Sequence, residues 1–260
     1  FDRTTLTYGE LDTQADRLAV LLQQNGLGPG DFCALCMTPS IAMVRALLAV
    51  LKAGGAYFML NPMLPVEHIT ATLCACNPKI VIVGENFSDR LPVMNAQIIF
   101  CDEDEDNASL PYAWPHECPT QRFSPAYAIS KFSATDGPRF AVSAHMAVSD
   151  RLASVQEFSP IGQGDSVLQN TKSDLDTFAW ESLWPLSQGA QLVIPSTREE
   201  TDPDCMRELI SRVHITVMHV VPSLLQLLLT GACLDELRSL RALFCASDWP
   251  TDISSSPIYA

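Results

Sequence analysis

Residues 41–60 read Ile-Ala-Met-Val-Arg-Ala-Leu-Leu-Ala-Val-Leu-Lys-Ala-Gly-Gly-Ala-Tyr-Phe-Met-Leu and contain a helix, a stop and a strand in close succession. Apolar side chains recur at helical spacing from Ile41 to Lys52, which predicts a helix with one face toward a core. Gly54 and Gly55 end this helix, because glycine readily leaves helical geometry. The apolar run Tyr57-Phe-Met-Leu60 then predicts a short strand. A helix leading directly into a buried strand is typical of an α/β fold.

The same alternation of helices and strands continues along most of the chain. Helices are predicted at residues 11–22, 66–76, 146–158, 176–186, 204–212 and 222–229. Strands are predicted at residues 32–36, 80–83, 97–100, 166–168, 191–194, 215–219 and 242–245. Repetition of strand, helix and strand at this spacing predicts mostly parallel sheets with helices on both faces.

One acidic segment interrupts this rhythm between residues 102 and 124. It opens with Asp102-Glu-Asp-Glu-Asp106 and continues with several prolines. The composition is typical of a solvated linker, and an acidic docking or metal-binding segment is the alternative. We therefore expect a first α/β lobe over residues 1–124, with the linker at 102–124, and a second α/β lobe over residues 125–260.

Composition and charge exclude several classes of partner. The chain has 260 residues, 47% of them hydrophobic, which is enough to bury a core in one or two domains. With 16 basic against 30 acidic residues the formal charge is -14, so nucleic acid and anionic membranes are poor partners. No apolar run is long enough to span a bilayer, and Phe1 does not begin a signal peptide. These features predict a cytoplasmic piece of a longer protein.

Most of the nine cysteines lie in apolar segments, namely Cys33, Cys36, Cys74, Cys76, Cys101 and Cys245. Buried, reduced thiols are the expected state. A metal site is the alternative. However, Cys74-Ala-Cys76 and His116-Glu-Cys118 lack the paired C-x-x-C spacing of zinc sites, so no metal is expected.

Four sequence motifs in these elements are similar to motifs of a known protein family. Leu6-Thr-Tyr-Gly-Glu-Leu11 matches L-T-Y-x-E-L, and Leu51-Lys-Ala-Gly-Gly-Ala-Tyr57 matches L-K-A-G-x-A-Y. Leu175-Asp-Thr-Phe-Ala-Trp-Glu181 is similar to F-D-x-S-x-W-E, and Val217-Met-His-Val-Val-Pro-Ser223 to the strand and helix that follow it. The chain thus resembles the N-terminal part of an adenylation domain of nonribosomal peptide synthetases, in the acyl-adenylate-forming superfamily. The resemblance implies two stacked lobes of mostly parallel sheet flanked by helices, lacking the later barrel and the C-terminal subdomain.

The segment Ala126–His145 aligns with the loop that in this family closes over the phosphates of ATP. Its pattern, Y-T-S-G-T-T-G-x-P-K-G, falls on residues 130–140. Here the first two hydroxyl positions hold Lys131 and Phe132, and the three glycine positions hold Ser133, Asp136 and Phe140. A carboxylate would repel a triphosphate, and side chains at glycine positions hinder the close approach of backbone N–H groups.

The aligned segment keeps Thr135, Gly137, Pro138 and Arg139 of a vestigial ATP loop. We interpret this segment as a connector. The alternative is that Lys131 and Arg139 bind phosphate in another way. Accordingly no cofactor is expected to bind, although the intact family uses ATP and Mg²⁺.

The resemblance also implies a vestigial amino-acid pocket. Asp176 falls where the family places the carboxylate that pairs with the α-amino group of the amino acid. Trp180, His219, Phe244 and Ala246 fall on pocket-lining positions. The alternative is equally open: Trp180 and Phe244 are core aromatic residues, and Asp176 caps the helix that follows it.

The last residues depart furthest from the family. Cys245-Ala-Ser-Asp-Trp-Pro250 replaces a glycine-rich strand end, and neither the later N-x-Y-G-P-T-E segment nor the adenylation lysine is present. No catalytic residue is therefore expected. We expect an inactive adenylation domain that spaces or docks the condensation and phosphopantetheine-bearing carrier domains of a parent ligase.

Two other functions stay open, namely an amino-acid-activating enzyme with its remaining parts elsewhere and a small-ligand binding module using the Asp176 pocket. A fungal siderophore synthetase is the expected parent. A Ser/His/Asp hydrolase is not expected, because no G-x-S-x-G motif is present.

Overall fold

The computed structural model describes residues 4–84, 87–101, 121–133, 137–171, 176–230 and 234–245. It divides into two compact units. The first comprises Phe1–Ser154 with Ser173–Asp176, and the second Val155–Lys172 with Thr177–Ala260. Within the described ranges no helix is long and apolar enough to cross a membrane, and no cluster of His, Cys, Asp and Glu could hold a metal ion.

The first unit is a six-stranded sheet with strand order β4-β3-β1-β2-β5-β6. All neighbouring strands are parallel except β5 and β6, which form an antiparallel hairpin. Its elements are α1 (Tyr8–Gln24), β1 (Phe32–Cys36), α2 (Ile41–Lys52), β2 (Ala56–Met59), α3 (Val66–Cys76), β3 (Ile80–Val83), a 3-10 turn (Ser88–Arg90), β4 (Gln97–Phe100), β5 (Pro125–Ser133) and β6 (Gly137–Ala144). The helix α4 (His145–Phe158) follows β6.

The helix, stop and strand predicted at residues 41–60 are confirmed. The Ser40 side chain accepts a hydrogen bond from the Met43 N–H and so begins α2, and Gly54 takes a positive φ of +88° after its end. At Gly55 a Cβ would lie 2.9 Å from the Leu27 side chain, so the chain passes too close for any larger residue. The strand β2 that follows is completely buried, as a central parallel strand should be.

The described part of residues 130–140 is strand and not the expected loop, while the interpretation of this segment as a connector stays a prediction. Ser130–Ser133 and Gly137–Phe140 lie in β5 and β6, and residues 134–136, with Thr135 among them, are outside the described ranges. The strand β5 continues this far because no glycine or proline interrupts it before Gly137. The pairs Tyr57↔Tyr127 and Phe58↔Ala128 join β5 to β2. The hairpin therefore belongs to the first unit, which differs from the predicted second lobe beginning at residue 125.

Three further expectations are corrected or left open here. The predicted burial of the thiols holds for Cys33, Cys36 and Cys101 and is wrong for Cys74, which is exposed on α3. Burial raises the pKa of the Cys36 thiol to about 11. The first helix begins at Tyr8, before the predicted residue 11, because Thr7 and Glu10 form a capping box. The predicted linker lies mostly outside the described residues.

The second unit is a four-stranded parallel sheet with strand order β10-β9-β7-β8. Its elements are β7 (Ser166–Leu168), α5 (Asp176–Gln188), β8 (Gln191–Val193), α6 (Thr197–Thr201), α7 (Pro203–Val213), β9 (Val217–Val220), α8 (Pro222–Leu229), a 3-10 turn (Leu234–Leu237) and β10 (Ala242–Cys245). The short helix α6 was not predicted and depends on a capping box between Ser196 and Glu199. An α/β fold with parallel sheets is confirmed in both units.

A buried arginine connects three elements of the second unit. The Arg207 guanidinium donates to the carbonyl oxygens of Leu227 and Leu228, each at 3.3 Å, and so satisfies the last turn of α8. Its Nε lies 3.3 Å from Glu236 on the following 3-10 turn, and it also pairs with Asp204 on its own helix α7. Removing this side chain leaves several polar groups without their partner.

We expect Arg207→Met to lower the free energy of unfolding of the second unit by about 2 kcal/mol, because the carbonyl groups of α8 and Glu236 lose a charged donor. Arg238→Met is the matched control, since the Arg238 side chain is 83% exposed in its pair with Asp235 and should change stability by less than ~0.5 kcal/mol. Denaturant unfolding followed by tryptophan fluorescence measures both. Equal effects of the two variants would contradict this role of Arg207.

Candidate functional site

The hairpin that carries the aligned phosphate loop is paired almost to its tip. Its cross-strand pairs include Ser130↔Phe140, Lys131↔Arg139 and Ser133↔Gly137. Only residues 134–136 lie between the last paired positions. A paired strand directs its N–H and C=O groups into the plane of the sheet and not toward a bound anion. The described arms of the hairpin are therefore strand as far as Ser133 and again from Gly137.

One of the replaced glycine positions is part of the core. The Phe140 ring meets the buried Phe58 ring edge to face, with centroids 5.7 Å apart and planes at 76°. It is half-buried against the apolar cluster on this face of the first sheet, which includes Ala34, Val81 and Val83. The phenyl group at Phe140 thus contributes to packing, which a glycine there would not do.

The two cations of the hairpin lie together on its other face. Lys131 and Arg139 are directly opposite each other, and both are exposed. Side chains of facing residues project from the same side of a sheet, so these two charges share a side that differs from that of Ser130 and Phe140. Of the predicted loop residues, Gly137 has a positive φ of +72° and opens β6, while Pro138 and Arg139 continue it.

In the second unit, a buried carboxylate lies beyond the carboxyl ends of β7 and β9. Glu181 on α5 has no exposed surface. Its Oε2 accepts from the backbone N–H of Thr171 at 2.9 Å and of Asn170 at 3.3 Å, and its Oε1 accepts from the Thr171 hydroxyl at 2.5 Å. The ends of parallel strands in such sheets are where ligands usually bind.

His219 on β9 completes this polar cluster. Its Nδ1 lies 3.1 Å from the Thr171 hydroxyl and 3.5 Å from Glu181 Oε1. The Asn170 side chain donates to the His219 carbonyl oxygen at 3.3 Å. Burial raises the pKa of the Glu181 carboxyl to about 7, although its three hydrogen bonds act in the opposite direction. Glu181 therefore changes its charge close to neutral pH.

Aromatic rings surround His219 on its other side. The Trp180 ring is perpendicular to the imidazole at 5.8 Å and meets Phe244 at 5.3 Å and Trp184 at 5.7 Å. The Trp184 indole donates to Gln156 at 2.8 Å, whereas the Trp180 Nε1–H is buried with no hydrogen-bond partner among the described residues. A buried donor without a partner is uncommon in folded proteins.

The structure brings together three of the five predicted pocket residues, Trp180, His219 and Phe244. Trp180 is only 5% exposed, so it also serves as the core aromatic residue of the alternative interpretation. Asp176 is the first residue of α5, but its side chain is outside what the structure describes, as is Ala246 altogether. A role for Asp176 as helix cap or as pocket carboxylate stays a prediction.

Sequence reasoning missed Glu181, Thr171 and Asn170 as site residues. Glu181 stood in the quoted motif directly after Trp180, and a charge inside an otherwise apolar helix was the signal for it. Thr171 and Asn170 gave no such signal, because their contacts with Glu181 span ten and eleven residues of sequence.

Comparison with known proteins identifies the family of this chain. The family model of AMP-binding enzymes matches residues 1–253. The chain belongs to this family. Tyrocidine synthase 3 of Brevibacillus parabrevis is 31% identical over 259 residues, which are 100% of this chain and 4% of that protein. Phosphinothricin tripeptide synthetase PhsB of Streptomyces viridochromogenes is 32% identical over 251 residues, which are 95% of this chain and 21% of that protein.

Solved structures agree with these relatives. The AMPPNP-bound form of the nonribosomal peptide synthetase FmoA3 has a TM-score of 0.87 at 26% identity over 96% of this chain and 27% of that chain. Its form bound to alpha-methyl-L-serine-AMP has a TM-score of 0.85 at the same identity. The chain is thus an AMP-binding domain of the nonribosomal peptide synthetase adenylation type, with the fold of the N-terminal part of that domain. Fungal origin and a siderophore synthetase as parent stay predictions.

We expect Phe140→Ala to lower the free energy of unfolding of the first unit by about 2 kcal/mol, because the half-buried ring loses its contact with Phe58 and leaves a gap. Val142→Ala on the same strand is the matched control, since Val142 is 53% exposed and should change stability by less than ~0.5 kcal/mol. Amide hydrogen exchange of β2 and β5 reports on this unit specifically. A Phe140→Ala variant as stable as the wild type would contradict a packing role for the ring.

Proposed function

We propose that this chain is an AMP-binding domain that does not adenylate and that acts as a structural or docking element of a multidomain nonribosomal peptide synthetase. The observation that carries the proposal is the replacement of the first two hydroxyl positions of the aligned ATP loop by Lys131 and Phe132, and of its three glycine positions by Ser133, Asp136 and Phe140. In the related enzymes that pattern of residues is a glycine- and hydroxyl-rich loop around the ATP phosphates. Here those positions carry larger, charged or apolar side chains, and ATP and Mg²⁺ are not expected to bind productively.

Packing supports the same conclusion. Phe140 stands at a family glycine position and holds its ring against Phe58. A glycine there would let a phosphate approach the backbone closely, and the Phe140 side chain packs in the core instead. The packing of the hairpin thus supports a structural role for it and not a nucleotide-binding role.

Charge gives no compensating attraction for a nucleotide. The formal charge of the chain is -14, and a triphosphate is itself an anion. Lys131 and Arg139 are the cations of the described arms, and they lie on the exposed face opposite to Phe140. Asp136, which replaces another glycine, adds a negative charge to the same segment. Phosphate binding by the two cations alone would need a site on the outer face of the hairpin.

The partners follow from this role. In the cytoplasm, a non-adenylating domain would hold apart or bind the condensation and carrier domains of the same parent ligase. An amino-acid-activating enzyme whose remaining parts lie elsewhere is the competing function, and the replaced residues of the aligned loop weigh against it.

We expect the chain to bind Mg·ATP no more tightly than about 1 mM by calorimetry and to support no amino-acid-dependent pyrophosphate exchange. A graft tests the hairpin itself, by placing residues 130–140 of this chain at the aligned positions of FmoA3. The graft should lose AMPPNP binding by at least about 100-fold. A matched graft of residues 56–60, a buried strand away from the loop, should keep it. Nucleotide binding by the chain, or unchanged binding by the hairpin graft, would contradict the proposal.

A small-ligand binding module in the second unit is the second candidate function. It is favoured by the buried Trp180 Nε1–H, which has no partner in the described part of the chain and could donate to an acceptor on a ligand. Trp180 lies against His219 and Phe244, which the family resemblance assigns to a pocket.

We expect one chemical group of amino acids to raise the melting temperature of the chain in a thermal-shift screen. Trp180→Phe should abolish that rise, because it removes the indole N–H and keeps an aromatic ring. No shift with any amino acid would exclude an amino acid as the ligand of this module. An equal shift in the wild type and the variant would contradict binding through Trp180.

A further inference from the structure

We propose that Glu181 acts through Thr171 as a proton switch that sets the tautomer of His219. When Glu181 is protonated, His219 accepts a hydrogen bond at Nδ1 and carries its proton on Nε2. When Glu181 is ionised, His219 carries its proton on Nδ1. This inference goes beyond the proposed function and holds whether or not the pocket binds a ligand.

The geometry places a single hydroxyl between two titratable groups. Thr171 Oγ1 lies 2.5 Å from Glu181 Oε1 and 3.1 Å from His219 Nδ1. The direct distance between Glu181 Oε1 and His219 Nδ1 is longer, at 3.5 Å, so the hydroxyl is the better route between them. A hydroxyl has one proton to donate and can accept at the same time. It can therefore donate to only one of its two neighbours.

The backbone decides which carboxyl oxygen carries the proton. Glu181 Oε2 already accepts hydrogen bonds from the backbone N–H groups of Asn170 and Thr171. Both of its lone pairs are therefore occupied, and it cannot also carry a proton. Oε1 is therefore the protonated oxygen. Its O–H donates to Thr171, and the Thr171 hydroxyl then donates to His219, which must accept at Nδ1.

Ionisation of Glu181 reverses both hydrogen bonds. The carboxylate is a stronger acceptor than a neutral imidazole, so the Thr171 hydroxyl now donates to Oε1. Nδ1 of His219 would then face the lone pairs of the same hydroxyl oxygen at 3.1 Å. A proton on Nδ1 turns this repulsion into a hydrogen bond, which selects the Nδ1–H tautomer. The Nε2 atom changes accordingly from donor to acceptor.

Among the described residues, the hydrogen bonds and the ion pair of Glu181 join it to Asn170, Thr171 and His219. In the part of the chain that the structure describes, His219 is the one titratable group in contact with Glu181. The connection after β7 contributes the polar groups of Asn170 and Thr171, and α5 and β10 contribute the uncharged Trp180 and Phe244 around His219. Glu181 is fully buried, and burial favours the neutral acid until the pH reaches about 7.

The stability of the fold and the tautomer of His219 should change over the same pH range. Because the folded-state pKa of Glu181 lies above its ordinary value, the protonated form stabilises the fold at low pH. This contribution is lost as the pH rises toward about 7. Above that pH a negative charge persists in a buried position, a state that costs free energy. The packing of Trp180 against His219 gives the same event an optical signal.

We test the switch with long-range proton–nitrogen NMR correlations of the full 260-residue chain, labelled with ¹⁵N in histidine, between about pH 5 and pH 9. His219→Gln identifies the His219 signals among those of the five histidines. Nδ1 should show an unprotonated shift at the acid end and a protonated shift at the alkaline end, with a midpoint near pH 7. A tautomer that is the same throughout this range in the wild type overturns the proposal, whatever the variants do.

Three variants separate a switch from a purely structural contact. Glu181→Gln cannot ionise, and its side-chain amide can donate to Thr171, so His219 should stay an Nδ1 acceptor at every pH. Thr171→Ser keeps the hydroxyl and should keep the switch, whereas Thr171→Val should uncouple the His219 tautomer from Glu181. A titration near pH 7 that persists in Glu181→Gln, or in a folded Thr171→Val protein, also overturns the proposal. Circular dichroism establishes that each variant is folded before its spectra are read.

Discussion

The pairing of β5 with β2 on one side and with β6 on the other is the constraint on which the first unit depends. The parallel pairs Tyr57↔Tyr127 and Phe58↔Ala128 fix the position of β5 in the sheet, and the antiparallel register then carries β6 to Gly137. This register places Phe140 beside Phe58. A one-residue slip would turn Phe140 to the opposite face and expose it.

The second unit keeps the geometry of a site at the carboxyl ends of its strands. Both oxygens of the buried Glu181 carboxyl accept hydrogen bonds from the connection after β7. Such networks are costly when incomplete, so a domain relieved of selection for chemistry would be expected to lose them unless they serve packing or binding. In the hairpin, by contrast, the residues that the resemblance assigns to nucleotide contacts have been replaced by residues that pack.

Local signals in the sequence were sufficient for most of the fold. The helix α2 and the strand β2 followed from periodicity and from Gly54 and Gly55, because each depends on neighbouring residues. The hairpin could not be recognised in the same way, since its strands are stabilised by pairing with β2, about 70 residues away. The mixed polar sequence with Gly137-Pro138 is typical of a loop in isolation. Glu181 was hidden for a related reason: its partners Asn170 and Thr171 meet it only after β7 and α5 have packed together.

Amide hydrogen exchange across the hairpin, with and without saturating Mg·ATP, tests the central claim most directly. If β5 and β6 are paired, those amides of residues 130–133, 137, 139 and 140 that donate across the β5–β6 ladder exchange slowly without nucleotide. Their rates then stay the same when Mg·ATP is added. Fast exchange of these amides in the free protein, followed by protection on addition of Mg·ATP, would show an open loop that closes on phosphate. That result would contradict a non-adenylating role for the domain.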